Sequence, residues 1–475
     1  MNKFIGMLDS PTARSLIPRG TNVFLLECRS NSYSLDDESS DFVKTGELID
    51  IISKLRSWGP VISRNYYRGD QYELYLRKLA IQVHRWMIEI RKHNCSYVIF
   101  ETMASHHVEN MCLEIACDFT KVKKIFLSHS PFTYRLLPVL QEGDYSTRKL
   151  LLLSLNDWTL KENEIDVFSE QWSSRTRGPS TRETSFIFAL ILILRKAITV
   201  SVYDLFSYFL TKWNFIKSTS GTFGNRRGFP AYIELRLILQ QKKALRYFEK
   251  NASLNEFKIN ELKKNQGKQV LLYYSHFQPE SSSFPIGAEL GNQIDLIYEI
   301  RQKFPRLVIL YQEHPHIKRY SIRGAISGVG ICRSIDYYKQ LEALGVVFLP
   351  FGKKYDQIFN LNRKIQALTI SGRIAIERAM QGLETFVVGH PWYKGLPGTY
   401  DFEDFLGLKP NEPRSSFTQN MVVSWIEKSH DGNTIAPGPW SIFHGNFENL
   451  DEVNHAYISD LSNLISLLSE KSNLE

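Results

Sequence analysis

The sequence predicts an α/β protein of two domains, each a parallel sheet wrapped by helices and the two facing a cleft, with a helical insertion in the first domain. Short apolar, β-branched runs alternate with stretches of helical spacing, the pattern of a doubly wound sheet. At 475 residues the chain is too long for one typical domain. The stretch 366–393, QALTISGRIAIERAMQGLETFVVGHPWY, reads as a complete strand, turn, helix and strand. Its first strand, 366–370, stops at Ser371-Gly372, where turn propensity takes over. Ile374, Ala375, Arg378 and Ala379 follow at helical spacing, Gly382 is the stop, and 384–388 is the next buried strand, ending in Gly389-His390-Pro391. In such a unit the N–H groups of the helix start and the Ser371 hydroxyl face outward at the carboxyl edge of the sheet, where a nucleotide phosphate can bind. The plain alternative is a tight turn with no ligand.

In chain order, 21–28 (TNVFLLEC) reads as the strand that opens the first domain, followed by a polar, serine-rich loop over 29–40. Residues 46–58 and 71–92 read as helices. The second carries Leu76, Leu79, Val83, Met87 and Ile90 as one apolar stripe, which is core. The strand 96–101 (SYVIFE) leads into Thr102 to Glu109 and a helix with Met111, Ile115 and Ala116. A further strand, 123–128, ends at His129. From about 140 to 250 strand signals fade, and the stretch reads as the helical insertion. Arg226-Arg227 and Lys242-Lys243 lie within it on what reads as a solvated basic face. The alternative is that basic and aromatic residues between Phe206 and Tyr247 touch the inner membrane or a lipid-linked acceptor.

The polar run 251–268 suits a hinge between a first domain at 1–250 and a second at 269–440, with a helical segment at 441–475. Strands are expected at 269–274, 307–311, 346–349, 366–370 and 384–388. No G-x-G-x-x-G follows any of them, which disfavours a dinucleotide dehydrogenase.

Three stretches in this order, 274–280 (YSHFQPE), 310–315 (LYQEHP) and 366–393, resemble the capsule polysaccharide biosynthesis proteins, which include Kdo transferases of the two-Rossmann, GT-B glycosyltransferase fold. The family carries a QPE-like turn, a Lys-Glu-His-Pro stretch, and a Ser/Thr-Gly-Thr turn followed by a helical Glu and a Gly-x-x-Trp/Phe-Tyr stretch. The likeness covers roughly residues 270–400 and, loosely, 70–130. Gln312 stands where the family usually has Lys, and Arg373 where it usually has Thr. The resemblance implies a glycosyltransferase of surface polysaccharide, with a nucleotide-sugar donor such as CMP-Kdo as substrate and a glycan or lipid-linked acceptor. It also implies a last helix that crosses back to the first domain.

Donor contacts then fall on Gln278, Glu280, Glu313, His314, Ser371, Gly372, Arg373, Glu377, His390 and Tyr393. His314, Ser371, the helix start at Gly372 and Arg373 would stabilise a leaving phosphate without a metal or other cofactor, and no Asp-x-Asp pair stands at a strand end to hold one. Glu377 would accept from ribose hydroxyls, or else pair with Arg373 across a helical turn. A general base for the acceptor hydroxyl is sought among Glu101, His106, His107 and Glu109. The alternative there is a helix N-cap with surface histidines. Rival classes are a polyol-phosphate transferase or sugar-nucleotide epimerase of similar fold, and a silent nucleotide-binding scaffold.

The formal charge of +8 and pI near 9.0 fit an anionic partner. The absence of long Lys/Arg runs and of zinc or RNP patterns speaks against nucleic acid. Five scattered cysteines without Cys-x-x-Cys suggest neither a zinc site nor a disulfide framework, and point to a cytoplasmic chain. The run 186–194 is nine residues before Arg195, too short to span a bilayer, so any membrane contact is expected to be peripheral.

Overall fold

The computed structural model describes residues 4–8, 14, 16, 23–26, 46–59, 72–101, 108–129, 136–142, 149–152, 191, 231–264, 269–276, 287–314, 317, 333–351, 365–407, 416–430 and 450–474. Two six-stranded sheets organise them.

The first sheet has the order β2-β1-β3-β4-β5-β6, with β1 at Phe4–Leu8, β2 at Val23–Leu26, β3 at Cys95–Phe100, β4 at Lys123–His129, β5 at Leu136–Glu142 and β6 at Lys149–Leu152. The first four strands are parallel, and β5 and β6 add antiparallel. Helices α1 (Glu47–Ser57), α2 (Tyr72–Lys92) and α3 (Val108–Thr120) bury one face, where the α2 stripe meets Val98, Phe100 and Phe126. Among the described residues, Leu16 and the last helix cover the opposite face. Tyr457, Leu461, Leu464, Ile465 and Leu468 of the last helix, Leu450–Leu474, cover Ile5, Met7, Tyr97, Ile99 and Ile125. The chain does cross back. Cys95, Cys112 and Cys117 are buried thiols that form no disulfide.

Helix α4 (Ala231–Leu254) corrects the reading of residues up to 250 as part of an insertion in the first domain: its Ala244, Phe248 and Ala252 pack with Tyr311 and Phe348 of the second sheet and with Tyr338 of a helix on that sheet. The polar hinge expected at 251–268 is occupied over most of its length by the end of α4 and by α5 (Glu256–Lys264), whose Ile259 and Leu262 pack under the same sheet. The rest of the expected insertion lies outside the described residues, apart from the two antiparallel strands and Ile191.

The second sheet has the order β12-β11-β10-β7-β8-β9, all parallel: β7 Val270–Tyr274, β8 Val308–Gln312, β9 Val346–Phe348, β10 Ile365–Thr369, β11 Thr385–Val387 and β12 Thr399–Asp401. Counted from β7, this is the 3-2-1-4-5-6 order of a dinucleotide-binding domain. Both faces are covered, so the inner strands are mainly apolar and β7 is buried at every residue. On one face lie α4, α6 (Gln293–Lys303), α7 (Ile335–Ala343) and α9 (Phe402–Gly407). On the other lie α5, α8 (Ile374–Ala379) and α10 (Gln419–His430). Among the described residues no helix is long and apolar enough to cross a membrane.

Beyond β11 the backbone turns at Gly395 and Gly398, with φ of +91° and +87°. A Cβ on Gly395 would meet nothing within 4 Å, whereas one on Gly398 would stand 2.5 Å from the Phe417 ring. Gly395→Ala is therefore expected to cost about 1 kcal/mol of backbone strain, and Gly398→Ala about 2–4 kcal/mol. Equal melting temperatures for the two variants would show that Phe417 yields freely.

Candidate functional site

The chain winds from β7 outward through β8 and β9, returns to β10 on the other side of β7, and continues to β11 and β12. Connections leaving β7 and β10 therefore diverge and open a crevice at their carboxyl ends, the place where ligands bind in such sheets. Four strand tips arrive there: Ser275-His276 after β7, Glu313-His314 after β8, Ser371-Gly372-Arg373 after β10 and Gly389-His390 after β11.

His276 joins two of these tips. Its Nε2 accepts the Ser371 N–H at 3.2 Å and lies 3.1 Å from Thr369 Oγ1, which puts the ring proton on Nδ1. Burial, with the positive fields of His314 and Arg333, pushes its pKa down to about 3, so the ring is neutral. The Ser371 N–H is thus directed to His276. Gly372 is a glycine for lack of space: a Cβ would stand 2.6 Å from Thr369 Oγ1 and 3.3 Å from His276 Nε2. Tyr393, buried, donates its hydroxyl to the Gly372 carbonyl at 2.8 Å and so braces the turn from behind.

Arg373 Nε lies 3.3 Å from Glu377 Oε1, the helical-turn pair that was the plainer of the two sequence readings of Glu377. At the next tip Lys394 Nζ donates to His390 Nδ1 at 3.3 Å and also meets Asp401 at 3.2 Å.

Glu313 is a different case from the donor contact expected of it. Its side chain is wholly buried, and Arg333 binds it through Nε at 2.8 Å and Nη2 at 2.9 Å. Ser275, Tyr338 and Tyr311 donate hydroxyls to the same carboxylate at 2.6, 2.8 and 3.1 Å, and the His314 N–H does so at 2.8 Å. Burial would raise this carboxyl, but the Arg333 charge and the hydrogen bonds outweigh it and hold the group below the ordinary carboxylate range. Glu313 supports the crevice from within and does not line it. His314, half-buried, also gives its N–H to Ser275 Oγ at 2.8 Å, so its backbone is fixed.

In the first sheet Glu101 directly follows β3, and its charge, after burial, helps raise the Tyr457 hydroxyl of the last helix. Glu109 is in the first turn of α3. The Glu109 side chain, His106, His107, Gln278 and Glu280 lie outside the described residues. A contact links the two halves: Trp392, stacked on Trp425 with ring centroids 6.3 Å apart, packs against Leu137 and Val139 of β5.

Of the expected donor residues, the structure thus brings His314, Ser371, Gly372 and Arg373 to one sheet edge, with His390 on the adjoining tip. His276 and Arg333 were not foreseen. His276 lies inside the quoted YSHFQPE stretch but looked like one more loop residue. Arg333 gave no local signal except that a buried carboxylate after an apolar strand requires a cation.

The second sheet defines a doubly wound, parallel α/β protein with a crevice at its strand crossover. No protein-family profile and no curated protein matches the chain. Among solved structures it is similar to the Thermosulfurimonas dismutans KpsC beta Kdo 2,7 transferase, with 11% identity over 91% of this chain and 95% of that one and a TM-score of 0.31. The beta Kdo 2,4 transferase of the same organism's KpsC aligns at 12% identity over 77% and 88%, TM-score 0.29. A UDP-GlcNAc 2-epimerase from Methanocaldococcus jannaschii aligns at 12% identity over 90% and 99%, TM-score 0.23. At such scores the alignments do not define a shared site.

Proposed function

We propose that the protein is a glycosyltransferase of surface polysaccharide that takes a sugar from a nucleotide donor, CMP-Kdo by the family resemblance, and passes it to a glycan or lipid-linked acceptor. The observation that carries this reading is the convergence of the β7, β8 and β10 tips on the crossover crevice of the second sheet. A leaving phosphate gains charge and needs donors fixed in advance. His314, held by its backbone, and Arg373, beside the braced glycine turn, would supply them. Glu101 at the carboxyl end of β3 is the described candidate for the base. In this proposal the two sheets face each other across the cleft, which the packing of Trp392 on Leu137 and Val139 supports. Contact with a membrane would be peripheral.

Calorimetry with CMP and with UDP tests the donor side. His314→Ala is expected to weaken binding about 10–100-fold, the loss of a charge-assisted hydrogen bond. Arg373→Thr should weaken it more at low salt than at high salt. Binding unchanged in both variants would sink the transferase reading. With labelled donor, label in the acceptor marks transfer, whereas an epimerised sugar nucleotide formed without acceptor marks the epimerase alternative.

A further inference from the structure

We propose that Arg333 is a positioning residue of the crevice: paired with Glu313, it fixes the ends of β7 and β8 so that His276 holds the Ser371–Gly372 turn in the shape that receives the nucleotide. What the turn receives rests on the sugar-nucleotide reading above; the positioning does not.

Arg333 is not itself a phosphate ligand. Its side chain is 0% exposed, its charge is met by both oxygens of Glu313, and its guanidinium lies 4.5 Å from the centre of the Tyr337 ring. Enclosing two charges costs several kcal/mol per ion, and apolar residues of similar volume commonly give an equal or more stable core. Stability alone therefore does not call for this pair. Direction does.

The contacts of the pair end on three segments, the β7 tip, the β8 tip and α7. Arg333 Nη2 donates to the His276 carbonyl at 2.7 Å. Glu313 takes the Ser275 hydroxyl from the β7 tip, the His314 N–H from the β8 tip and the Tyr338 hydroxyl from α7. Gln293 of α6 completes the clamp, accepting the His276 N–H at 2.9 Å and donating to its carbonyl at 3.2 Å. With the His276 backbone held on both sides, its ring lies against Thr369 and the Ser371 N–H. Ser334, the next residue, caps α7 by accepting the Tyr337 N–H at 3.1 Å, so Arg333 is anchored to a helix start and its reach is set. A methionine and a leucine would fill the same volume and hold none of these ends.

The test compares the full chain with Glu313→Leu/Arg333→Met and with Arg333→Lys, which keeps the charge but cannot form the fork and still reach His276. Amide hydrogen exchange at Ser371 and calorimetric affinity for CMP and UDP are measured in each. We expect the double variant to melt within a few degrees of the parent, yet to exchange the Ser371 amide at least about tenfold faster and to bind nucleotide about tenfold more weakly. Arg333→Lys should show the same loosening of Ser371. A folded double variant with parental Ser371 exchange and parental affinity overturns the proposal. If the double variant does not fold, Arg333→Lys decides alone: faster Ser371 exchange supports the proposal and parental exchange overturns it. A parental chain that binds neither nucleotide refutes the sugar-nucleotide reading, and Ser371 exchange still decides the positioning.

Discussion

Glu313→Gln is expected to lower the thermal transition of the second sheet by about 10 °C. The substitution keeps the shape and an acceptor oxygen but leaves the Arg333 charge enclosed with no counter-ion. Breaking a buried pair in this way costs about 3–5 kcal/mol, and each kcal/mol shifts a domain of this size by roughly 2–4 °C. Tyr338→Phe removes one hydroxyl from the same carboxylate and should cost only about 1 kcal/mol. A second enclosed pair, Lys124 with Asp118 under the first sheet, gives the contrast. There burial outweighs the nearby Lys124 and raises the Asp118 carboxyl, whereas around Glu313 the partners win and lower it. Asp118→Asn should accordingly cost less than Glu313→Gln. Calorimetric scans of the three variants check the order, and a Glu313→Gln protein that melts with or above Asp118→Asn would show that Arg333 finds another partner.

What could be read from the sequence follows from how local each signal is. The second sheet was legible because its strands are covered on both faces: VLLYY, VILYQ and the run into Thr369 are apolar at nearly every position, and each stops at a polar tip. The Gly389-His390 tip and the glycine turn came with them. An inner strand of the first sheet, β1, was missed, since FIGML is five residues long and is followed at once by Asp9, Ser10 and Pro11. β5 was hidden by Pro138, a residue that reads against a strand, although here it stands opposite Leu127 in the antiparallel ladder. β12 is a three-residue edge strand, shorter than any pattern of alternation. Helix α5 read as a hinge because only Ile259 and Leu262 face the sheet, one turn apart, among Lys, Glu and Asn.

The site was legible at its tips and illegible beneath them. Strand ends announce themselves by a change of composition, so His314, Ser371 and Gly372 could be placed on one edge from the sequence. Which groups those tips consume could not. Glu313 and His314 are adjacent in the chain, yet one turns inward to Arg333, twenty residues on, and the other stays at the edge. Their roles separate only because successive residues at a strand end point to opposite faces. Arg333 reaches Glu313 because α7 begins beside β8, a fact of topology that no local spacing contains.

His276 makes the crevice sensitive to acid, and its removal is expected to flatten part of the stability profile. In the unfolded chain this histidine takes a proton near pH 6.5; in the folded protein burial, His314 and Arg333 delay protonation to about pH 3. Between those values the unfolded state binds more protons than the folded one, so stability falls as pH drops from about 6.5 toward 3 and is fully present above 6.5. The span corresponds to a loss on the order of 4 kcal/mol. Glu313, depressed as well, adds its own loss as pH falls below its ordinary value near 4.5, so the His276 contribution stands apart from it between pH 6.5 and 4.5. His276→Gln retains an acceptor for the Ser371 N–H but has no ring to protonate. Its chemical denaturation midpoint should therefore change less than the parent's between pH 6.5 and 4.5, with both proteins responding alike above pH 7. Parallel profiles for parent and variant across that window would show that the His276 ring reaches solvent and does not hold the turn.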